Sequence, residues 1–372
     1  MERILVSDLD TPCLLVNLDR MERNLRFMQE KANLAGVKLR PHAKTHRTPA
    51  IARIQLEMGA GGITVAKLGE AEVMASEGID DIFIANEIVG PIKLERLRRL
   101  ARQVRRLAVG VDHASHVQAL SRIMAEEPRP LDVLIDVETG DPRTGVHPGE
   151  PVLELARGIE KAPGLRLRGI YTHDGQSYDA STLDEVREIN RQSQTLMLET
   201  ADLLRSSKIP VEEVSVGSTP SLLVDGILPG ITEIRPGTYV FLDADQAQVL
   251  GTYAFCAQTV LATVISRPTP ERVVLDAGTK ALTYYVQDTG ITRSAGHGRL
   301  KDHPEIFLNR MSDEHSSFDI PPGSALDFFI GQKLEIIPNH ACPTTNLYDF
   351  IHGIRQDRVE ITWPVLCRGK SQ

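Results

Sequence analysis

Short apolar runs recur along the first two thirds of the chain, separated by stretches with helical spacing. The runs are "VKLRPHAK" (37–44), "GITVA" (62–66), "DIFIAN" (81–86), "RLAVGVD" (106–112), "LDVLIDVE" (131–138), "LRLRGIYTH" (165–173), "VEEVSVG" (211–217) and "TEIRPGTYVFLD" (232–243). Helix-like stretches include 19–35, 68–77, 115–126 and 182–206, and "KLERLRRLARQVRR" (93–106) has leucines on one face, as an amphipathic surface helix would. Eight strands alternating with helices and ending near residue 242 predict an α/β fold, a closed (β/α)8 TIM barrel more than an open sheet. Beyond about residue 250, "TYAFCAQTVLATVISR", "ERVVLDAGTKAL", "KLEIIPNHAC" and "DRVEITWPVLCRG" read as strands with few helices between them. The expected division is a barrel over 11–245 and a C-terminal, mainly β domain over 1–10 and 246–372, with the early strand "TPCLLVNLD" as a candidate to pair with it.

Polar or reactive residues close most of the eight strands: Lys44, Asn86, Asp112, Glu138, His173 and Gly217. In a barrel of this kind that end carries the active site. The first strand is the most pointed case. His42, Lys44 and His46 share a face for as long as the strand persists, because side chains at i and i+2 do. The alternative is a solvated strand end followed by a helix start at Thr48-Pro49.

Composition narrows the partners. The 372 residues are 41% hydrophobic and carry a net charge of -8, without a long basic run, which argues against nucleic acid and anionic membranes. No stretch of about 18 apolar residues is present, and the acidic N-terminus lacks a signal-peptide core, so no membrane span is expected. Four scattered cysteines form no disulfide framework, and a reduced, cytoplasmic protein is the expectation.

Two further motifs carry chemistry. "SVGSTPS" places Gly217, Ser218 and Thr219 just after a strand, where a bare backbone and a helix start suit a phosphate; an ordinary turn with a Ser/Thr cap is the alternative. In "PNHACP", His340 and Cys342 stand two apart and offer imidazole plus thiolate, a zinc-type pair that leaves positions open on the ion.

The ordered set "RPHAKTH", "GITVAKLGEAE", "VETGDPRTGV", "YTHDGQSY", "VGSTP", "EIRPGTYVFLD", "DEH" and "IPNHACPTTNLYD" resembles the fold type III (alanine racemase-like) pyridoxal-phosphate enzymes, and within them the D-threonine aldolase and D-serine dehydratase family. The resemblance covers nearly the whole chain. It implies that Lys44 is the Schiff-base lysine for pyridoxal 5'-phosphate, with Lys67 a rival that lacks the motif. It implies a phosphate site at Gly217, Ser218 and Thr219, which Arg235, Gly237 and Tyr239 of "RPGTY" could complete, although Tyr239 could equally be core. It places Arg143 beside the cofactor's phenolic oxygen, turns His173 toward ring or substrate as a catalytic group, and makes His340 and Cys342 ligands of a divalent metal, zinc or manganese. Glu314 and His315 match the family without an assignable role. The implied activity is a lyase acting on a small-molecule D-β-hydroxy-α-amino acid, with aldol cleavage preferred and dehydration the alternative. Known D-threonine aldolases carry His-x-Asp where this chain has His-x-Cys, the pattern of the dehydratases. An amino-acid racemase would need no metal, and a single-barrel cofactor carrier would end near residue 245. Relatives of this fold type are commonly homodimers.

Overall fold

Residues 4–372 are described by the computed structural model; residues 1–3 of the expected β-rich domain lie outside it. A strand β1 (Cys13–Asn17) and a helix α1 (Leu18–Ala35) precede the repeating part of the chain. There β2 (Lys38–Leu39), α2 (Pro49–Glu57), β3 (Ile63–Val65), α3 (Leu68–Ser76), β4 (Asp81–Ile84), α4 (Pro91–Gln103), β5 (Arg106–Val111) and α5 (Ala114–Met124) alternate. The series continues with β6 (Leu131–Asp136), α6 (Glu150–Glu160), β7 (Leu165–Tyr171), α7 (Leu183–Ser206), β8 (Glu213–Val216), α8 (Thr219–Val224) and β9 (Glu233–Ile234). Each of the eight apolar runs supplies one strand, and all eight lie in one parallel sheet ordered β2-β9-β8-β7-β6-β5-β4-β3. Backbone bonds from Thr64 N to Pro41 O and from Ala43 N to Thr64 O, both 2.8 Å, join the two end strands and curl the sheet into a barrel. The basic stretch near 93–106 is α4, which buries Leu97 and Leu100 and turns its arginines outward.

Alternate residues of the strands fill the interior in layers, as closure of a parallel barrel requires. At the strand starts, Arg40 meets Asp81 and Glu233, each at 2.7 Å, while Arg168 meets Asp132 at 3.0 Å and Glu213 at 2.8 Å. All six are buried, so the barrel floor is an ionic plug. Above it Phe83, Ala108, Leu134 and Tyr171 form one cluster, with the Phe83 and Tyr171 rings edge to face at 5.0 Å. The Arg235 guanidinium lies 5.0 Å from the Tyr171 ring centre.

The second unit is built on strands. After α9 (Ala244–Leu250) come β10 (Gln258–Ser266), β11 (Arg272–Leu275), β12 (Arg299–Leu300), β13 (Arg310–Met311), β14 (Ser316–Asp319), β15 (Lys333–Ile337), α10 (Ala341–Thr345), β16 (Phe350–Arg355) and β17 (Arg358–Pro364). The main sheet order is β13-β14-β11-β10-β1-β16-β17, with β15 paired to β10 and β12. The early strand β1 belongs here, antiparallel to β10 and parallel to β16. By contacts, one unit comprises the chain up to Arg26, Thr45–Thr48 and Thr238–Arg368; the other comprises Phe27–Lys44, Pro49–Gly237 and Gly369–Gln372.

Candidate active site

Lys44 is the last residue of its barrel segment and is half-buried. It stands two residues after His42, in the turn that ends the strand. On β3 the inward set is Gly62, Thr64 and Ala66, shown by Gly62 facing the Arg40 guanidinium. Lys67 falls out of that register and caps α3. The expectation that His42, Lys44 and His46 share one strand face needs correction. Backbone pairing runs on past β2, from Arg40 N to Ile234 O and from His42 N to Pro236 O, and ends with Ala43 N on Thr64 O, where residues 43–46 form a turn. The turn is pinned by Lys44 N–H donating to His42 Nδ1 at 3.4 Å. His46 is fully buried in the other unit, where its Nδ1 accepts from Thr48 N at 3.1 Å.

His173, at the end of β7, donates from Nδ1 to Gly217 O at 3.3 Å. A carbonyl can only accept, so the hydrogen sits on Nδ1 and the Nε2 lone pair is left available. Burial, then the Lys44 and Arg143 charges, push its pKa down to about 3, and His42 is lowered well below its usual value by burial, then by the Lys44 and Arg235 charges. Both rings are therefore neutral at ordinary pH.

The turn after β8 fits a phosphate. Gly217 has φ +120°, where side chains are rarely tolerated, and a Cβ there would sit 2.7 Å from Leu222 Cδ1. Thr219 Oγ1 is buried with no hydrogen-bond partner among the described residues. An orphaned hydroxyl beside a bare backbone is what an absent anion leaves behind. Ser218 differs: its hydroxyl is engaged with Asp174 Oδ2 at 3.1 Å, Ser177 Oγ at 2.9 Å and Ser221 Oγ at 3.1 Å, so only its backbone N–H remains to offer. Asp174, pushed up to about 6 by burial against these serine hydrogen bonds, fixes the turn from below. Nothing in "THDGQSY" announced that role except its place next to His173.

Arg143 stands on an exposed loop after β6, held by Thr144 Oγ1 on Asp136 Oδ2 at 2.8 Å and Gly145 N on Asp112 Oδ2 at 3.2 Å. Arg235 is not part of an anion cradle: it is buried and donates to Ser215 Oγ at 2.6 Å and Thr172 O at 2.7 Å. Gly237 closes the barrel unit, and Tyr239 is buried in a single 3-10 turn, Thr238–Val240, of the other. Glu314 and His315 lie in the tight turn between β13 and β14, where Glu314 pairs with Lys280 at 2.5 Å on the surface.

In the β-rich unit, His340 caps α10 and Cys342 lies in its first turn. Their side chains are in hydrogen-bond contact. Cys342 Sγ is 3.1 Å from Thr45 Oγ1 and 3.7 Å from Thr238 Oγ1. Burial would lower the His340 pKa, but Cys342, Asp243 and Asp245 outweigh it and raise it to about 9. The pair thus keeps a proton where a cation could displace it. Among the described residues no group of three or more His, Cys, Asp or Glu is arranged to hold a metal. Two soft donors fit an exchangeable catalytic ion with open positions, not a closed structural one.

A barrel whose first strand ends in a lysine at the mouth, in one chain with a β-rich unit, is the architecture of the alanine racemase-like class. The alanine racemase N-terminal domain family matches residues 16–245, and the serine dehydratase domain family matches residues 257–354. A D-threonine aldolase from an Arthrobacter species is 37% identical over 99% of this chain and 95% of that protein. The structure of D-threonine aldolase from Filomicrobium marinum is 36% identical, with a TM-score of 0.91, covering 100% of this chain and 98% of that one. D-threo-3-hydroxyaspartate dehydratase from Delftia sp. HT23 is 32% identical, with a TM-score of 0.90, covering 97% and 98%. A cysteine-to-alanine mutant of a D-threo-3-hydroxyaspartate dehydratase is described as being in the metal-free form. The chain belongs to the fold type III pyridoxal-phosphate family, in its branch of D-threonine aldolase and serine dehydratase-like lyases.

Proposed function

We propose that the chain is a pyridoxal-phosphate- and divalent-metal-dependent lyase that cleaves D-threonine and related D-β-hydroxy-α-amino acids between Cα and Cβ. One observation carries the reading: a chain that ends its first barrel strand in Lys44 also holds an imidazole–thiolate pair at His340 and Cys342. Bound pyridoxal phosphate supplies a sink for the electron pair released at Cα, and a divalent ion supplies Lewis acidity toward the β-oxygen. Ligand softness favours zinc over manganese.

The remaining work falls to the chain. The backbone at Gly217 and Ser218 and the Thr219 hydroxyl anchor a phosphate; Gly237 and Tyr239 belong to the same reading of the cradle. Arg143 presents a cation toward the cofactor's phenolic oxygen. Neutral His173, oriented through Gly217 O, keeps the Nε2 lone pair as a hydrogen-bond acceptor for ring or substrate. Lys44 holds the cofactor and afterwards serves as a base. Removal of the β-hydroxyl proton leads to glycine and an aldehyde. Removal of the Cα proton with loss of the β-hydroxyl leads to a 2-oxo acid and ammonia. The second outcome is favoured by one feature, the cysteine at position 342.

Product analysis with D-threonine tests the choice. The expected products are glycine and acetaldehyde, with L-threonine inert. Stoichiometric 2-oxobutyrate and ammonia without glycine would make the chain a dehydratase.

A further inference from the structure

The metal reading leaves one buried acid without a use. Asp243 lies between Leu242 and α9 and is fully buried. A residue in that setting is costly unless every oxygen is occupied. Its Oδ1 accepts from Gln246 N at 3.0 Å, which is the N-cap of α9. Its Oδ2 accepts from Ala341 N at 2.9 Å and lies 3.5 Å from His340 Nδ1. One carboxylate therefore fastens the first turn of α9 and the backbone just after His340, and faces the imidazole with the same oxygen. These contacts join residues almost a hundred positions apart.

A buried carboxylate 3.5 Å from one ring nitrogen favours the tautomer that carries its hydrogen there. The nitrogen facing the acid keeps its hydrogen, and the opposite nitrogen is left as the donor. We propose that Asp243 is the positioning residue of the metal centre: it holds His340 with Nδ1 as the hydrogen donor and commits Nε2 to the ion. The inference rests on the assignment of His340 and Cys342 as ligands and adds what selects between the two ring nitrogens. Asp245 adds its charge at His340, but its Oδ1 is turned to another partner and accepts from Ser294 Oγ at 2.8 Å.

Asparagine and serine are both good N-cap residues. Asp243→Asn and Asp243→Ser thus keep an acceptor for Gln246 N while removing the carboxylate from His340. Zinc affinity of the metal-stripped holoprotein is measured by calorimetry with a competing chelator, and melting temperature is measured without metal. The expected result is a fall in zinc affinity of roughly 10- to 100-fold in both variants, as for other residues that orient a metal-bound histidine. Bound pyridoxal phosphate, read from its visible absorbance, should be unchanged. A folded variant with wild-type zinc affinity overturns the proposal. A wild-type chain that binds no zinc overturns the ligand assignment beneath it, a result distinct from the first. Should neither variant fold, histidine-labelled wild-type protein decides by NMR with zinc bound: the His340 ring protonated at Nδ1 supports the proposal, and a ring ligating through Nδ1 overturns it.

Discussion

Replacing Arg40 by methionine should loosen the barrel from its floor upward. The guanidinium touches Asp81 Oδ1 and Glu233 Oε2, each at 2.7 Å, and the three side chains are 3%, 9% and 1% exposed. Methionine fills much the same length without charge, so the substitution leaves little void but leaves buried Glu233 to the Ser215 hydroxyl at 2.7 Å and Asp81 to Arg106 at 3.4 Å. Breaking a buried ion pair from one side costs about 3–5 kcal/mol. Two carboxylates share the loss here, and protonation relieves part of it, so about 3–4 kcal/mol is expected near pH 8. The pH dependence carries the sign. Burial alone would raise the Glu233 pKa, but Arg40 and the Ser215 hydroxyl outweigh it and hold it below its ordinary value. In the wild type that contribution is present above the ordinary carboxylate range and lost as pH falls through the depressed folded value. Without Arg40, the largest opposing effect, burial outweighs the remaining Ser215 hydrogen bond and Arg235 charge, and the folded pKa rises above the unfolded one. The mutant's deficit should then be largest at high pH and shrink as the pH falls toward 5. Because β2 is only two residues long and its continuation carries His42 and Lys44, cofactor retention should weaken with the fold. Urea unfolding of the wild type and Arg40→Met at pH 5, 6.5 and 8, followed by far-UV circular dichroism, measures this. A deficit below about 1 kcal/mol, or one that grows on acidification, would refute the reasoning.

Two further outcomes are expected. Lys44→Ala should lose the visible cofactor band and the borohydride-fixed peptide, whereas Lys67→Ala should keep both; a cofactor fixed at residue 67 in the first variant would reverse the assignment. His173, with its folded pKa depressed to about 3 against an ordinary 6.5, takes up a proton on unfolding, so stability should fall between pH 6.5 and 3 by up to about 1.4 kcal/mol per pH unit. His173→Gln should flatten that slope in a pH series of melting curves, and an unchanged slope would contradict a buried neutral ring.

The local pattern of the chain was enough to place all eight barrel strands, because alternation with period two and helical spacing between runs are properties of neighbouring residues. The same holds for the lysine that ends the first strand, for the glycine turn after β8 and for the His-x-Cys pair. Each is a short segment whose chemistry is written in its own residue types. What local order could not disclose is which distant groups meet. Arg40 and Arg168 carry no local signal in "VKLRPHAK" and "LRLRGIYTH", and become the buried floor only when closure brings Asp81, Asp132, Glu213 and Glu233 around them. Arg235 read as a phosphate ligand and proved to be locked beneath the mouth by Ser215 and Thr172. The shared strand face of His42, Lys44 and His46 failed because backbone pairing, whose last bond runs from Ala43 N to Thr64 O, decides where a strand stops. Asp174 under Ser218 and Ser221, and Asp243 behind His340, sit 44, 47 and 97 residues from their partners. Periodicity determines the face a side chain takes, whereas its partner is chosen by register and chain crossing, which exist only once the sheet has closed.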